Sequence, residues 1–134
     1  MDYIHSKKIR NFFRKVHASK IEFSVQKTLL LIKKGLKPKE IAEIRELKEN
    51  TIWEHMANLV EHGQLPIWNI MPKRKIAYIL EKIKFSTEPL KEIKSKFASN
   101  RITYDEINCV RAHLKMKENI RKKKERSSQL RMFL

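Results

Sequence analysis

Only two glycines occur in the 134 residues, Gly35 and Gly63, and each closes a stretch with helical periodicity. Glycine adopts the left-handed conformation without strain, which suits the residue just past a helix C-terminus. The spacing predicts a helix from about Ser24 to Lys34, with Ser24 as its N-cap and Leu29, Leu30 and Ile32 inward. Pro38 fits the first turn of a second helix ending at Arg45, where its missing N–H costs nothing. A third helix runs from about Glu49 to His62, with Ile52, Met56, Leu59 and Val60 on one face. Leu47 marks the turn between the second and third as its apolar anchor. Two short helices joined so tightly describe a helix-turn-helix. Ala42 falls where they cross, and Thr51 lies early enough in the third helix to help satisfy its free N–H groups.

Beyond Gly63 the pattern changes. Gln64–Met71 is apolar and interrupted by Pro66, which reads as extended chain and the edge of a short wing. Pro72 starts a helix to about Lys84, with Ile76, Ile79, Leu80 and Ile83 inward. The run Ser86-Thr87-Glu88-Pro89 opens another, ending near Phe97, with Leu90, Ile93 and Phe97 inward. Thr103-Tyr104-Asp105-Glu106 is a capping box, and the helix it opens buries Ile107, Val110 and Leu114. From Lys115 onward the apolar stripe thins. A segment with no inner face is a solvated helical extension or a disordered arm.

Charge divides the chain in the same way. The formal net charge is +16, from 31 Lys and Arg against 15 Asp and Glu. Residues 1–27 carry +5, residues 28–110 carry +4 and residues 111–134 carry +7, so the ends hold most of the excess. The expected organisation is a basic amphipathic segment (1–23), a helix-turn-helix domain (24–114) and a basic arm (115–134) ending in an apolar peptide. The first segment sets Ile9, Phe12, Phe13 and Val16 against Lys7, Lys8, Arg10, Arg14 and Lys15. Asp2 and the low Ser content argue against organelle targeting, and a cytoplasmic, nucleoid-associated location is expected. The fold class expected is all-α: a small helical domain, winged or wingless, with a basic N-terminal helix and a basic C-terminal arm.

Several functions fall away. Two glycines cannot build a phosphate-cradling loop, so no nucleotide-driven motor is expected. One cysteine, Cys109, permits no intrachain disulfide and no cysteine-cage zinc site. His55 and His62 lie two helical turns apart, too far to share a metal, and His62 beside Gly63 reads as a cation at a helix C-terminus. No apolar run is long enough to span a membrane. No nucleophile, base and orienting group assemble into a catalytic set, so neither enzyme activity nor a cofactor is expected.

Gly35, Glu40-Ile41-Ala42, Arg45, Leu47, Thr51-Ile52 and His55-Met56 resemble the helix-turn-helix domain at the C-terminal end of RecQ-type and related helicases. Met56 stands where that family has Leu, and Lys37 where it often has a Ser cap. The stretches Ile102–Ile107 and Val110–Lys115 resemble the family's closing helix, so the likeness spans about residues 28–115. It implies a helical accessory domain that helps a larger machine hold nucleic acid and brings no activity of its own. The C-terminal Gln129-Leu130-Arg131-Met132-Phe133 resembles the bacterial sliding-clamp-binding peptide, with Gln129, Leu130, Met132 and Phe133 as its contacts.

A recognition helix offers groups from its first two turns. Here these are Lys48, Glu49, Asn50, Thr51, Trp53, Glu54 and Asn58, with Asn50 and Asn58 suited to adenine and Lys48 to phosphate. Yet residues 36–62 hold six acidic and four basic side chains, net −2, which repels a phosphate backbone. Phosphate contacts are therefore expected from Lys7, Lys8, Arg10, Arg14, Lys15, Lys115, Lys117, Arg121, Lys122, Lys123, Lys124 and Arg126. Trp53 suits base stacking, whereas Trp68, in an apolar segment, reads as core or interface. The expected function is non-catalytic nucleic-acid binding, with DNA favoured over RNA, in a replication, repair or helicase assembly. A helicase or sliding clamp is the partner expected. The alternatives are an RNA-binding component of a ribonucleoprotein such as the ribosome, and a protein–protein adaptor.

Overall fold

A computed structural model describes residues 22–98 and 101–133. The amphipathic segment with Lys7, Lys8, Arg10, Arg14 and Lys15 lies outside the described residues. The described residues are all-helical, without a strand, and the chain forms two compact units that divide between Leu59 and Val60.

In the first unit, α1 spans Phe23–Lys33, α2 spans Pro38–Arg45, and α3 (Glu49–Glu61) begins. Gly35 ends α1 at φ 89°, and the chain folds back there with Gly35 N–H donating to Ile32 O and Leu36 N–H to Leu31 O. That pair of bonds is the Schellman closure, which satisfies carbonyls left free by the helix. Pro38 occupies the start of α2 as expected. Glu40 reaches back to the Lys37 N–H at 3.3 Å. Lys37 has no acceptor, so the reciprocal half of a capping box cannot form. Ile41, Ala42 and Ile52 are buried together, with Leu31, Ile32 and Leu36 packed against them. The small Ala42 side chain thus sits at the α2–α3 crossing, where added volume would force the helices apart.

Two expectations fail in this unit. The N-cap of α1 is Glu22, not Ser24, because helical geometry begins two residues earlier and the Ser24 hydroxyl is bonded to Arg45. Leu47 is exposed rather than an apolar anchor. The turn is instead built by the backbone: Glu46 takes the left-handed conformation at φ 56°, and Leu47 N–H donates to Ala42 O at 2.9 Å.

The second unit starts with the end of α3, which Gly63 closes at φ 72°. Residues Ile67–Asn69 form a 3₁₀ turn, not the extended wing edge that the sequence suggested. Pro66 precedes that turn, Ile67 and Met71 are buried around it, and the N–H groups of Ile70 and Met71 both donate to Ile67 O, a closure that extended chain does not make. Trp68 is 59% exposed, so it is not a core residue. Helix α4 spans Lys73–Leu80, shorter than expected, and Ile83 follows in the turn beyond it. Helix α5 spans Leu90–Ser95, and α6 spans Tyr104–Met132. Pro72 and Pro89 serve as N-caps. The 3₁₀ turn, α4 and α5 all pack against α6.

The capping box of α6 is formed as expected. Glu106 N–H donates to Thr103 Oγ1 at 3.1 Å, and Thr103 N–H donates to Glu106 Oε1 at 3.0 Å. Glu106 also pairs with Lys75, tying α4 to the start of α6. Glu88 is buried and ion-paired with Lys96 at 2.6 Å, and this bond holds its carboxyl below the usual range. The Glu88 carbonyl accepts from Arg111 at 3.1 Å. Ile76, Ile79, Ile93, Phe97, Ile102, Ile107 and Val110 are buried. Leu114 is only half-buried.

Candidate nucleic-acid interface

The polar residues of the helix-turn-helix motif turn inward. Arg45, the last residue of α2, reaches back to α1. Its Nη1 donates to Ser24 O at 2.9 Å and to Thr28 Oγ1 at 2.5 Å, and its Nη2 donates to Ser24 Oγ at 2.8 Å. Thr28 is fully buried, and its hydroxyl lies 2.7 Å from His55 Nδ1 on α3. The hydroxyl accepts from the guanidinium, so its own proton goes to Nδ1, which makes His55 the neutral Nε2–H tautomer. Burial and then the nearby Arg45 charge lower the His55 pKa from its ordinary value. One chain of hydrogen bonds therefore ties α1, α2 and α3. Arg45 and His55 hold the motif together and are not offered to a ligand.

The outer side of α3 is narrow. Lys48, Glu49, Asn50 and Glu54 are exposed, whereas Thr51, Trp53 and Asn58 are half-buried. Of the expected readers, Lys48 and Asn50 reach solvent fully, and two carboxylates flank them. Exposed Glu40, Glu43 and Glu46 extend that acidic surface along α2.

The cations gather in the second unit. Residues 60–134 contain 18 basic and 8 acidic side chains, net +10. Helix α6 is 29 residues long, about 43 Å at the α-helical rise. Its buried residues end at His113, and past Glu118 every described residue is exposed. Arg121, Lys122, Lys123, Lys124 and Arg126 project from this last stretch, with exposed Lys117 and half-buried Lys115 before it. Two carboxylates interrupt the series. Glu118 accepts from Ser86 Oγ at 2.8 Å, and Glu125 lies 4.0 Å from Arg121. The last four turns are helical although they bury nothing, because Lys, Arg, Glu, Gln, Leu and Met are all good helix formers.

Gln129, Leu130 and Met132 are in the final turn of α6, and Phe133 follows it; Leu130, Met132 and Phe133 are 65%, 85% and 90% exposed. Cys109 is fully buried, and burial pushes its thiol pKa up to about 12, so it is held as an unreactive core group. No group of His, Cys, Asp and Glu among the described residues is placed to hold a metal. No described helix is long and apolar enough to cross a membrane.

Three helices tied at a tight turn, with the core at the α2–α3 crossing, define a helix-turn-helix fold. The family model described as "Helix-turn-helix domain" matches residues 24–111, and the chain belongs to that family. Nucleic-acid binding is the general property of that class. No curated protein and no solved structure matches the chain.

Proposed function

We propose that this protein is a non-catalytic accessory that binds nucleic acid, DNA in preference to RNA, through the cationic stretch of α6 and the basic N-terminal segment. The observation that carries the reading is the exposed run Arg121–Arg126, where cations lie on every side of a helix that buries nothing. Such a surface neutralises phosphates and releases counterions, giving affinity with little sequence preference. The α2–α3 motif then acts as scaffold, since its polar residues are spent on one another and its outer face is acidic. A replication, repair or helicase assembly is the setting that the RecQ-type likeness of residues 28–115 supports. The exposed Leu130, Met132 and Phe133 favour a sliding clamp as one partner there.

The test is a titration of labelled duplex DNA at several salt concentrations, with structured RNA as competitor. Changing Lys122, Lys123, Lys124 and Arg126 to Gln should flatten the plot of log affinity against log salt by about 3–4 units of slope if all four meet phosphates. If binding survives this change and falls on Asn50→Ala, α3 is the reader and the reading is wrong.

A further inference from the structure

Exposed aromatic rings are unevenly distributed. Among the described residues, the exposed aromatic side chains are Trp68, Tyr78, Phe85, Tyr104 and Phe133, all in the second unit. Three of them are arranged around the C-terminal end of α5. Phe97, just past α5, meets the Tyr78 ring of α4 edge-on, with centroids 5.4 Å apart and planes at 60°. Lys94 lies over the Tyr104 ring, 6.0 Å from its centroid, and donates to Ile102 O at 2.5 Å. Lys96 donates to Lys82 O at 2.9 Å and pairs with Glu88 on the other side of Phe85, which pins the loop carrying that ring. Lys75 and Glu106 join α4 to the first turn of α6, so the elements bearing Tyr78 and Tyr104 are fixed to each other as well.

Tyr78, Phe85 and Tyr104 are 44%, 55% and 50% exposed; Phe97 backs the Tyr78 ring and Lys94 the Tyr104 ring, while Lys96 ties the loop on both sides of Phe85. The backing matters because a ring that is already oriented loses little freedom when a flat ligand stacks on it. Cations and carboxylates both lie around them: Glu81 and Glu92 are exposed, while Glu88 and Glu106 are tied to Lys96 and Lys75. Arg74 lies one turn before Tyr78 on the same side of α4 and is exposed, as is Lys91 on α5. The bond from Lys94 ends on a neutral carbonyl, so its positive charge is kept. Rings separated by cations are the arrangement that holds a single strand, with bases on the rings and phosphates on the cations. A duplex cannot use these rings, because its bases are stacked on one another.

We infer that the end of α5 carries a stacking site for single-stranded nucleic acid, with Tyr78, Phe85 and Tyr104 as its platforms and Arg74 and Lys94 as its phosphate contacts. The inference rests on the proposed nucleic-acid function and adds a strand preference to it. A protein with both surfaces binds at a junction, single strand on the rings and duplex phosphates on the α6 cations.

The experiment uses the full chain and two fluorescein-labelled probes, a single-stranded oligothymidine and a duplex of equal length, read by anisotropy. The variant is Tyr78→Leu with Tyr104→Leu, which keeps apolar volume and removes both π-faces; Tyr78→Phe with Tyr104→Phe is its control. Single-strand affinity should fall about tenfold or more in the Leu variant. It should hold in the Phe variant, and duplex affinity should change less than twofold in both. Equal loss on both probes, or no loss on the single strand, overturns the stacking site while leaving the α6 reading intact. Failure of the unsubstituted protein to bind either probe overturns both.

Discussion

The two units handle polar chemistry in opposite ways. In the described part of the first, residues 22–59, 7 basic side chains face 6 acidic ones, net +1, against +10 in the second. The first unit consumes its motif residues internally: Arg45, Thr28, Ser24 and His55 bond to one another. The second pins its two buried carboxylates, Glu88 to Lys96 and Glu106 to Lys75 and the Thr103 cap, and leaves most of its cations in solvent. The motif residues and most of the excess positive charge among the described residues therefore sit on different parts of the chain. A motif can be diagnostic of a fold because it builds the fold.

The sharpest way to break this contrast is to remove charge from each unit in turn. Replacing Lys122, Lys123, Lys124 and Arg126 with Gln should weaken duplex binding on the order of 100-fold near physiological salt. Replacing Lys33, Lys34, Lys37 and Lys39 should cost far less, and equal losses in the two titrations would dissolve the distinction. Next in size is the internal knot. Arg45→Leu leaves the buried Thr28 hydroxyl and the Ser24 groups short of a donor, which costs about 1–3 kcal/mol in denaturant-induced unfolding. Duplex affinity measured well below the transition should stay unchanged. A smaller effect, of opposite sign, is expected at the turn. Glu46 holds φ 56°, and Glu46→Gly relieves that conformation, raising stability by up to about 1 kcal/mol less the greater freedom of glycine in the unfolded chain.

The smallest effect is that of pH. His55 in the first unit and His113 in the second both have pKa values lowered mainly by burial, with Arg45 and Lys117 adding to it; Glu22 and Glu54 partly oppose this at His55. Their unfolded forms protonate near 6.5, so as pH falls below that value the unfolded chain takes up protons first. Stability is fully present above about 6.5 and declines until pH has passed the lowered folded values. His55→Asn can still accept the Thr28 proton through Oδ1, and it should remove the first unit's share of the decline. An unchanged pH profile for thermal unfolding of that variant would place the whole effect at His113.

Local chemistry was readable from the sequence where it acts over a few residues. Gly35, Gly63, Pro38 and the Thr103–Glu106 box sit as the spacing indicates, and Ile52, Met56, Leu59 and Val60 are buried together on α3. The knot was not readable, because Arg45 meets Ser24 and Thr28 across 21 and 17 residues and Thr28 meets His55 across 27. Nothing local distinguishes an arginine that braces from one that binds. The run Gln64–Met71 misled for a different reason. A short apolar segment with a central proline suits an extended edge or a tight turn equally, and packing on α6 selects the turn. Tyr78, Phe85 and Tyr104 lie on three separate segments, so no local spacing groups them, and only the contacts made by residues 94–97 relate their elements.

The cationic end of α6 stays helical against its own charge. Lys117 and Arg121, and Lys122 and Arg126, are like-charged neighbours one turn apart, each pair opposing the helix by about 0.2–0.5 kcal/mol. Arg121 and Glu125 form an attractive pair at 4.0 Å, in the less favourable cation-first order. The turns anchored between Tyr104 and Met116 nucleate the helix, so the extension needs only to propagate. A line of phosphates cancels the repulsion that limits that propagation. Ionic strength and any bound polyanion thus act on one quantity, how far the helix continues, and the segment proposed to hold phosphates would be stiffened by them.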